Sequence, residues 1–394
     1  MTTEPIYILS GVRTAIGDFG GGLKDFAPAA LGKLVIEEAV KRAGVTPSDV
    51  GHVVMGQVIQ SDPKDAYLAR VAAVDAGLPI EAPALTLNRL CGSGMQAIIS
   101  AAQMITLGEC DIAVAGGAES MSRSPHVLTS ARWGTKMGNV VAIDAMLTVL
   151  SDPFEGCHMG ITAENVARKH SISREAQDAL AIESHKRAAR AQAEGRFTSQ
   201  ILPIEVKTRK GTTVFDTDEH VRADASLDEM TKLRPAFDKE GSVTAGNASG
   251  INDGAAAVVL ASQKAVDEKG FKPMGRIIGW GHAGVEPSIM GVGPVKAVPI
   301  ALKRAGLDLD DIDVIESNEA FAAQACAVAQ ELGFNPDKVN PNGSGISLGH
   351  PIGATGAILM VKLLYELERS GGKYGLATMC IGGGQGIAMV VEKL

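Results

Sequence analysis

The chain has 394 residues, of which 45% are hydrophobic, 21% charged and only 4% aromatic, and it holds 46 glycines. That length exceeds one ordinary core and predicts two or three domains in which small-residue packing matters. A net charge of -8 excludes a general nucleic-acid binder, which needs an excess of Lys and Arg to neutralise phosphates.

The start, "MTTEPIYILSGVRTA", lacks both the basic and apolar layout of a signal peptide and an Arg-rich presequence. No apolar run reaches the length of a membrane span, and the end "VVEKL" is not a peroxisomal address. The expectation is a cytoplasmic protein without membrane contacts. The five cysteines, at 91, 110, 157, 326 and 380, form no CxxC pair. They read as free thiols rather than a disulfide framework or a zinc site.

In chain order, "AVKRAGVTPSDVGHVV" reads as a helix end closed by Gly44, a loop and a strand. "APALTLN" is a further strand, and "GSGMQAIISAAQ" the helix after it, so Cys91 falls at a helix N-terminus. Cysteine is more often a small buried hydrophobe than a reagent. The positive helix end, however, favours a thiolate nucleophile, and the flanking glycines let a carbonyl approach. A strand and glycine cluster, "DIAVAGGAES", follow.

From Met121 to Gly250 the character changes. A polar helix opens at Ser173 with Glu175 in its first turn, and a charged stretch, "KTRKGTTVFDTDEHVR", follows. This region is expected to be an insertion that covers a site. Lys207, Arg209 and Lys210 within it read as surface charge.

Beyond it the chain repeats itself. "ALKRAGLDLDDIDVIE", with Gly306 as helix cap, matches the segment around Gly44 at an offset of 262, and the same offset sets Gly353 on Cys91. Two strand-helix-strand copies predict two α/β domains with largely parallel sheets, whose ligands sit at strand carboxyl ends. The second copy places Asn318 and Glu319 at the end of "DVIE", His350 before a helix and Cys380 at a strand end. An imidazole and two thiols at three strand ends can converge on one cleft. "GGGQG" is not a phosphate loop, since no Lys-Ser or Lys-Thr follows, and the eight histidines show no metal-binding spacing.

Together "NRLCGSGMQA", "AGGAESMS", "HMGITAENVA", "NEAFAAQA", "GHPIGATG" and "CIGGGQG" resemble the thiolase family over the whole length. The resemblance implies two βαβαβαββ halves in a five-layered α/β core with an inserted loop domain. Residues 1–120 with 251–271 would form the first half, 121–250 the loop domain and 272–394 the second half. It implies reversible Claisen condensation of two acetyl-CoA molecules, with coenzyme A and acyl-CoA as substrates and no permanently bound cofactor or metal. Cys91 would carry the acyl group and His350 activate it. Cys380 would exchange the α-carbon proton, and Asn318 would hold a water that forms an oxyanion hole with His350. The N–H groups of Cys91 and Gly382 would form a second hole. Around CoA the matching residues are Leu150, His158, Met159, Arg222, Phe237, Ala245, Ser249, Ala320 and Phe321. The family also implies a homotetramer, a dimer of dimers, with part of "SRSPHVLTSARWGTKMG" as its contact loop.

One stretch departs from the pattern. Many biosynthetic members read "NxNGGAIALGHP", whereas this chain has Ser344, Gly345 and Ser347 in "NPNGSGISLGHP". In this it is most similar to β-ketothiolases of polyester-storing bacteria that accept longer 3-ketoacyl chains, and a roomier acyl pocket is expected. The alternatives are a mainly degradative 3-ketoacyl-CoA thiolase, a decarboxylating ketoacyl synthase, against which Cys380 argues, and a non-catalytic lipid-binding relative.

Overall fold

The computed structural model describes residues 4–209 and 211–394; Lys210 lies outside the described residues. Nine strands carry the core: β1 (Ile6–Thr14), β2 (His52–Gly56), β3 (Ala84–Leu87), β4 (Ile112–Ser120), β5 (Asn252–Ser262), β6 (Gly275–Gly284), β7 (Val314–Ser317), β8 (Tyr374–Ile381) and β9 (Gln385–Lys393). The main helices are α1 (Pro28–Ala43), α2 (Ser93–Thr106), α3 (Met159–Lys169), α4 (Arg174–Ala193), α5 (Gly293–Ala305), α6 (Ala322–Leu332) and α7 (Thr355–Ser370).

The first half orders its strands β3-β2-β4-β5-β1 and the second β7-β8-β9-β6, with Val339 bridging outside β7 where the counterpart of β3 would lie. The duplication is therefore carried into strand order. A short antiparallel contact of Ile6–Ile8 with Gly275–Ile277 joins the two into one sheet. Helices close alike in both copies, with Gly44 at φ +65° and Gly306 at φ +70°, a left-handed cap that glycine adopts without a Cβ penalty.

Along this path of nine strands β2 with β3, β2 with β4 and β7 with β8 are parallel. The remaining pairs along this path are antiparallel, which corrects the expectation of largely parallel sheets. Each half ends in a strand that returns without a crossover helix; for β8 and β9 the return is a tight turn through Gly383 and Gly384, at φ +79° and +88°.

The packing is five-layered. α1 covers the outer face of the first half, α5 that of the second, and α2 and α7 lie side by side between them. Glycine makes that middle layer possible: a Cβ on Gly94 would stand 2.7 Å from Ala357 N, and one on Gly356 2.4 Å from Met95 N. α7 is buried along nearly its whole length, and Lys362 within it is neutralised by Glu316 at 2.6 Å and bonds Gly343 O. In the stretch between β4 and β5, Ser173 caps α4 by accepting from Ala176 N, and α3 and α4 pack against α6. No helix among the described residues is long and apolar enough to cross a membrane.

Candidate active site

Between β3 and α2 the chain makes a tight turn in which Leu90 has φ +46°, unusual for a branched residue. Side chains hold it: Leu90 N donates to Asn88 Oδ1 at 2.8 Å, Arg89 N to Ser93 Oγ at 2.9 Å, and Ser93 Oγ to Leu90 O at 2.7 Å. Gly92 keeps the turn against the second half, since a Cβ there would lie 2.5 Å from Ile381 Cδ1. The result aims Cys91 at the junction of the halves, where its own N–H and that of Gly382 are directed at the sulfur.

The expectation that the helix end would favour a thiolate is corrected here. Burial, the largest influence, pushes the Cys91 thiol up to about 11 despite the two N–H groups, and the nearby Glu119 carboxylate adds to the rise. Cys91 is a thiol at neutral pH and needs a base.

His350 supplies one. It is buried, and burial lowers its pKa to about 4, so the ring is neutral. Its Nδ1 lies 2.7 Å from Thr355 Oγ1, whose proton is directed to Pro351 O at 2.9 Å. Nδ1 is therefore the donor in that contact, and Nε2 keeps a lone pair. Among the described residues His350 Nε2 has no partner, nor do Oδ1 and Nδ2 of buried Asn318. Buried polar atoms are nearly always paired, so these three are what a bound oxygen or proton would meet.

Asn318 follows β7 directly, and its N–H donates to Thr378 O of the adjacent β8 at 3.0 Å, which sets it beside the strand end that carries Cys380. Cys380 is buried, and its thiol is pushed well up by burial and then by the neighbouring Cys91. The two thiols are thus close enough to repel each other's charged forms.

The sequence-derived CoA residues fall into two groups. Leu150 packs in a cluster with Cys91, and its O accepts from Met159 N at 2.8 Å. Met159 presses on Gly382, where a Cβ would lie 2.7 Å from its Cε. His158 caps α3 through Nδ1, stacks on Phe237 at 4.5 Å, and Phe237 meets Phe321 edge-on at 6.2 Å. Ser249 N donates to Ala320 O at 2.9 Å. Leu90, Val149, Met159 and Gly383 line a mostly apolar groove of about 910 Å³. Arg222 and Ala245 line a separate, more polar depression of about 550 Å³ with His185, His220 and Ser226, and Arg222 is exposed. Lys207 and Arg209 are exposed on a hairpin away from both.

Ser344, Gly345 and Ser347 line neither space. They lie behind Asn318: a Cβ on Gly345 would stand 2.8 Å from Asn318 Oδ1, and Ser344 Oγ donates to Ser317 O at 3.1 Å. The expectation that they enlarge an acyl pocket is not met by their position.

Three supporting residues escaped the sequence reading. Asn252 Oδ1 accepts from His350 N at 2.9 Å. Glu119 accepts from Val58 N, Ile59 N and Gly353 N, tying the His350 loop to the first half. Thr355 fixes the imidazole. Glu119 and Thr355 stand inside motifs already singled out, Asn252 does not, and only the fold brings their partners near.

A duplicated five-layered α/β chain, with a reactive thiol opening one of two paired central helices, defines an acyl-transfer enzyme class. Models of the "Thiolase, N-terminal domain" and "Thiolase, C-terminal domain" match residues 6–264 and 271–393. The chain is 62% identical over 393 residues to Beta-ketothiolase BktB of Cupriavidus necator, all of both chains being covered. It is 52% identical to the acetyl-CoA acetyltransferase of Chromobacterium violaceum, covering 98% of this chain and 99% of that one. The crystal structure of human mitochondrial 3-ketoacyl-CoA thiolase superposes with a TM-score of 0.98 at 44% identity, covering 100% of each chain. The chain belongs to the thiolase family.

Proposed function

We propose that this enzyme joins two acetyl-CoA molecules reversibly into acetoacetyl-CoA and CoA through an acetyl thioester on Cys91. The observation that carries this reading is a neutral thiol and a neutral imidazole with a free Nε2 lone pair, beside a second thiol at a neighbouring strand end.

Cys91 Sγ attacks the thioester carbonyl while its proton passes to His350 Nε2, and the N–H groups of Cys91 and Gly382 hold the tetrahedral oxyanion. CoA leaves as thiolate and takes its proton from Cys380. The Cys380 thiolate then removes an α-proton from the second acetyl-CoA. The enolate oxygen is held by His350 Nε2–H and by a water on Asn318. The enolate carbon attacks the acetyl group, the Cys91 C–S bond breaks, and His350 returns the proton to Cys91. Each proton is accounted for, and the steps run equally in reverse as thiolytic cleavage.

The pantetheine arm is assigned to Leu150, His158, Met159, Phe237, Ser249, Ala320 and Phe321, and the nucleotide to Arg222 and Ala245. The apolar groove and the similarity to a protein named as a β-ketothiolase support turnover of ketoacyl chains longer than four carbons. No permanent cofactor is invoked, since every proton and acyl transfer has a side chain to carry it. The division into halves 1–120 with 251–271 and 272–394, with loop domain 121–250, is supported by Leu150 packing near Cys91. A homotetramer is supported by the exposure of Trp133 and Met137 in the proposed contact loop, at 87% and 91%.

Intact-protein mass spectrometry after brief mixing with acetyl-CoA tests the reading. An added acetyl mass, absent from Cys91→Ala and removed by free CoA, is expected; no added mass in the unmodified chain overturns it.

A further inference from the structure

The Asn318 side chain has no partner among the described residues, so what fixes its amide must act from behind. Glu319, the next residue, turns the other way into a fully buried polar cluster. Its Oε1 accepts from Asn340 Nδ2 at 2.9 Å and its Oε2 from Ser184 Oγ at 2.6 Å. Asn340 also clasps Ser317, accepting from its N–H and donating to its carbonyl, both at 2.8 Å. The unexplained "GSGIS" stretch completes the cluster. Ser347 Oγ lies 2.8 Å from Ser184 Oγ, Ser344 Oγ holds Ser317 O, and Gly345 packs where a Cβ would meet Glu319 O at 2.7 Å and Asn318 Oδ1 at 2.8 Å.

Asn340, Ser184 and Ser344 bond Ser317 or Glu319, the two residues that flank Asn318, and Ser347 joins them through Ser184. Ser184 comes from α4, in the stretch between β4 and β5, so the placement of Asn318 depends on a distant part of the chain.

We propose that Ser184, Gly345 and Ser347 are positioning residues that act through Glu319 to set Asn318, and that they govern the carbon–carbon step rather than acyl length. This rests on the thiolase reading, in which Asn318 serves the enolate and takes no part in acylating Cys91. The two half-reactions therefore separate the proposal from a merely structural role, which would impair both.

The experiment follows acetylation of Cys91 by rapid-quench intact mass and acetoacetyl-CoA formation by chromatography, in Gly345→Ala, Ser184→Ala and Ser347→Ala. Acetylation should stay within about twofold of the unmodified enzyme, because no bond of the Cys91 turn is touched. Acetoacetyl-CoA formation should fall about 100-fold in Gly345→Ala, as misplacement near 1 Å does, and about 5- to 10-fold in the two serine variants, as loss of one buried hydrogen bond does. The ratio of four-carbon to five-carbon ketoacyl-CoA cleavage should not move. Should Gly345→Ala fail to fold, Ser184→Ala decides by the same criterion. Both half-reactions falling together, neither falling, or a changed chain-length ratio overturns the proposal while leaving the thiolase reading intact. An unmodified enzyme that takes up no acetyl group overturns the thiolase reading and this proposal with it.

Discussion

In the first half of the molecule the turn between strand and central helix carries Cys91; in the second half the same turn carries Gly353. At the constant offset, Asn318, His350 and Cys380 likewise have inert counterparts in Gly56, Asn88 and Ala118. The proposed site takes its nucleophile and one oxyanion-holding N–H from one copy, and its imidazole, second thiol and Asn318 from the other. The mirror-image place is not left open. Gly353 N–H, the counterpart of the Cys91 N–H proposed to hold an oxyanion, is occupied at 2.9 Å by the Glu119 carboxylate. The comparison teaches that the turn proposed to hold a substrate oxyanion in one copy anchors, in the other, the loop that presents His350. Chemistry and support are two uses of one backbone geometry.

Exchanging the two turns would break this comparison most sharply. Cys91→Ala should lower turnover of acetoacetyl-CoA by about four orders of magnitude or more, as loss of a nucleophile does. Adding Gly353→Cys should restore nothing, since its Cβ would lie 2.5 Å from Glu119 Oε2 and the counterpart of His350 is Asn88. Recovered activity in the double variant, measured by thiolysis, would mean that the halves are interchangeable.

The next effect concerns pH. His350 has its folded pKa depressed to about 4, so between that value and its unfolded value the unfolded chain binds more protons. Stability is therefore complete above about pH 6.5 and is lost as pH falls towards 4, by about 3 kcal/mol for this one residue. His185 and His282, also lowered to about 4, act in the same direction. Denaturant melts of His350→Gln should show a flatter dependence over that window, and an unchanged slope would refute it.

Gly353→Ala probes the anchoring copy alone. Its Cβ would crowd Glu119 Oε2 at 2.5 Å and Gln57 Cα at 3.0 Å, and overpacking of this kind costs about 2 kcal/mol, readable as a lower urea midpoint. The smallest effect separates two corresponding hydroxyls at the helix starts. Ser93→Ala should cost about 1 kcal/mol of stability, because Ser93 braces the Leu90 turn. Thr355→Val should slow acetylation about 5- to 10-fold by releasing the His350 tautomer, with Thr355→Ser restoring the rate.

Much of this was legible in the residues. The repeat shows because Gly44 and Gly306 must both take a left-handed cap, and glycine is the residue that does so without strain. Cys91, Asn318, His350 and Cys380 show because reactive side chains at strand ends stand apart from apolar strands. Strand direction was hidden, because the apolar run Gly254–Ala261 of a buried antiparallel strand reads like that of a buried parallel one. The ionisation of Cys91 was hidden too, since the helix end is visible in sequence whereas the burial that outweighs it belongs to the assembled halves. Ser184 and Glu319 lie 135 positions apart, and no local pattern links them.

Strand β1 has a consequence for how the chain is made. It is the earliest strand to be synthesised, yet its two main neighbours are β5 and β6, beginning at Asn252 and Gly275. At ribosomal speeds of roughly 5 to 20 residues per second, β1 waits on the order of 10 to 50 s before either partner leaves the tunnel. α2 waits longer still for α7. Until β5 and β6 emerge, β1 has α1 to pack against but neither of its main sheet neighbours, so the first half cannot complete its sheet until most of the chain has been made.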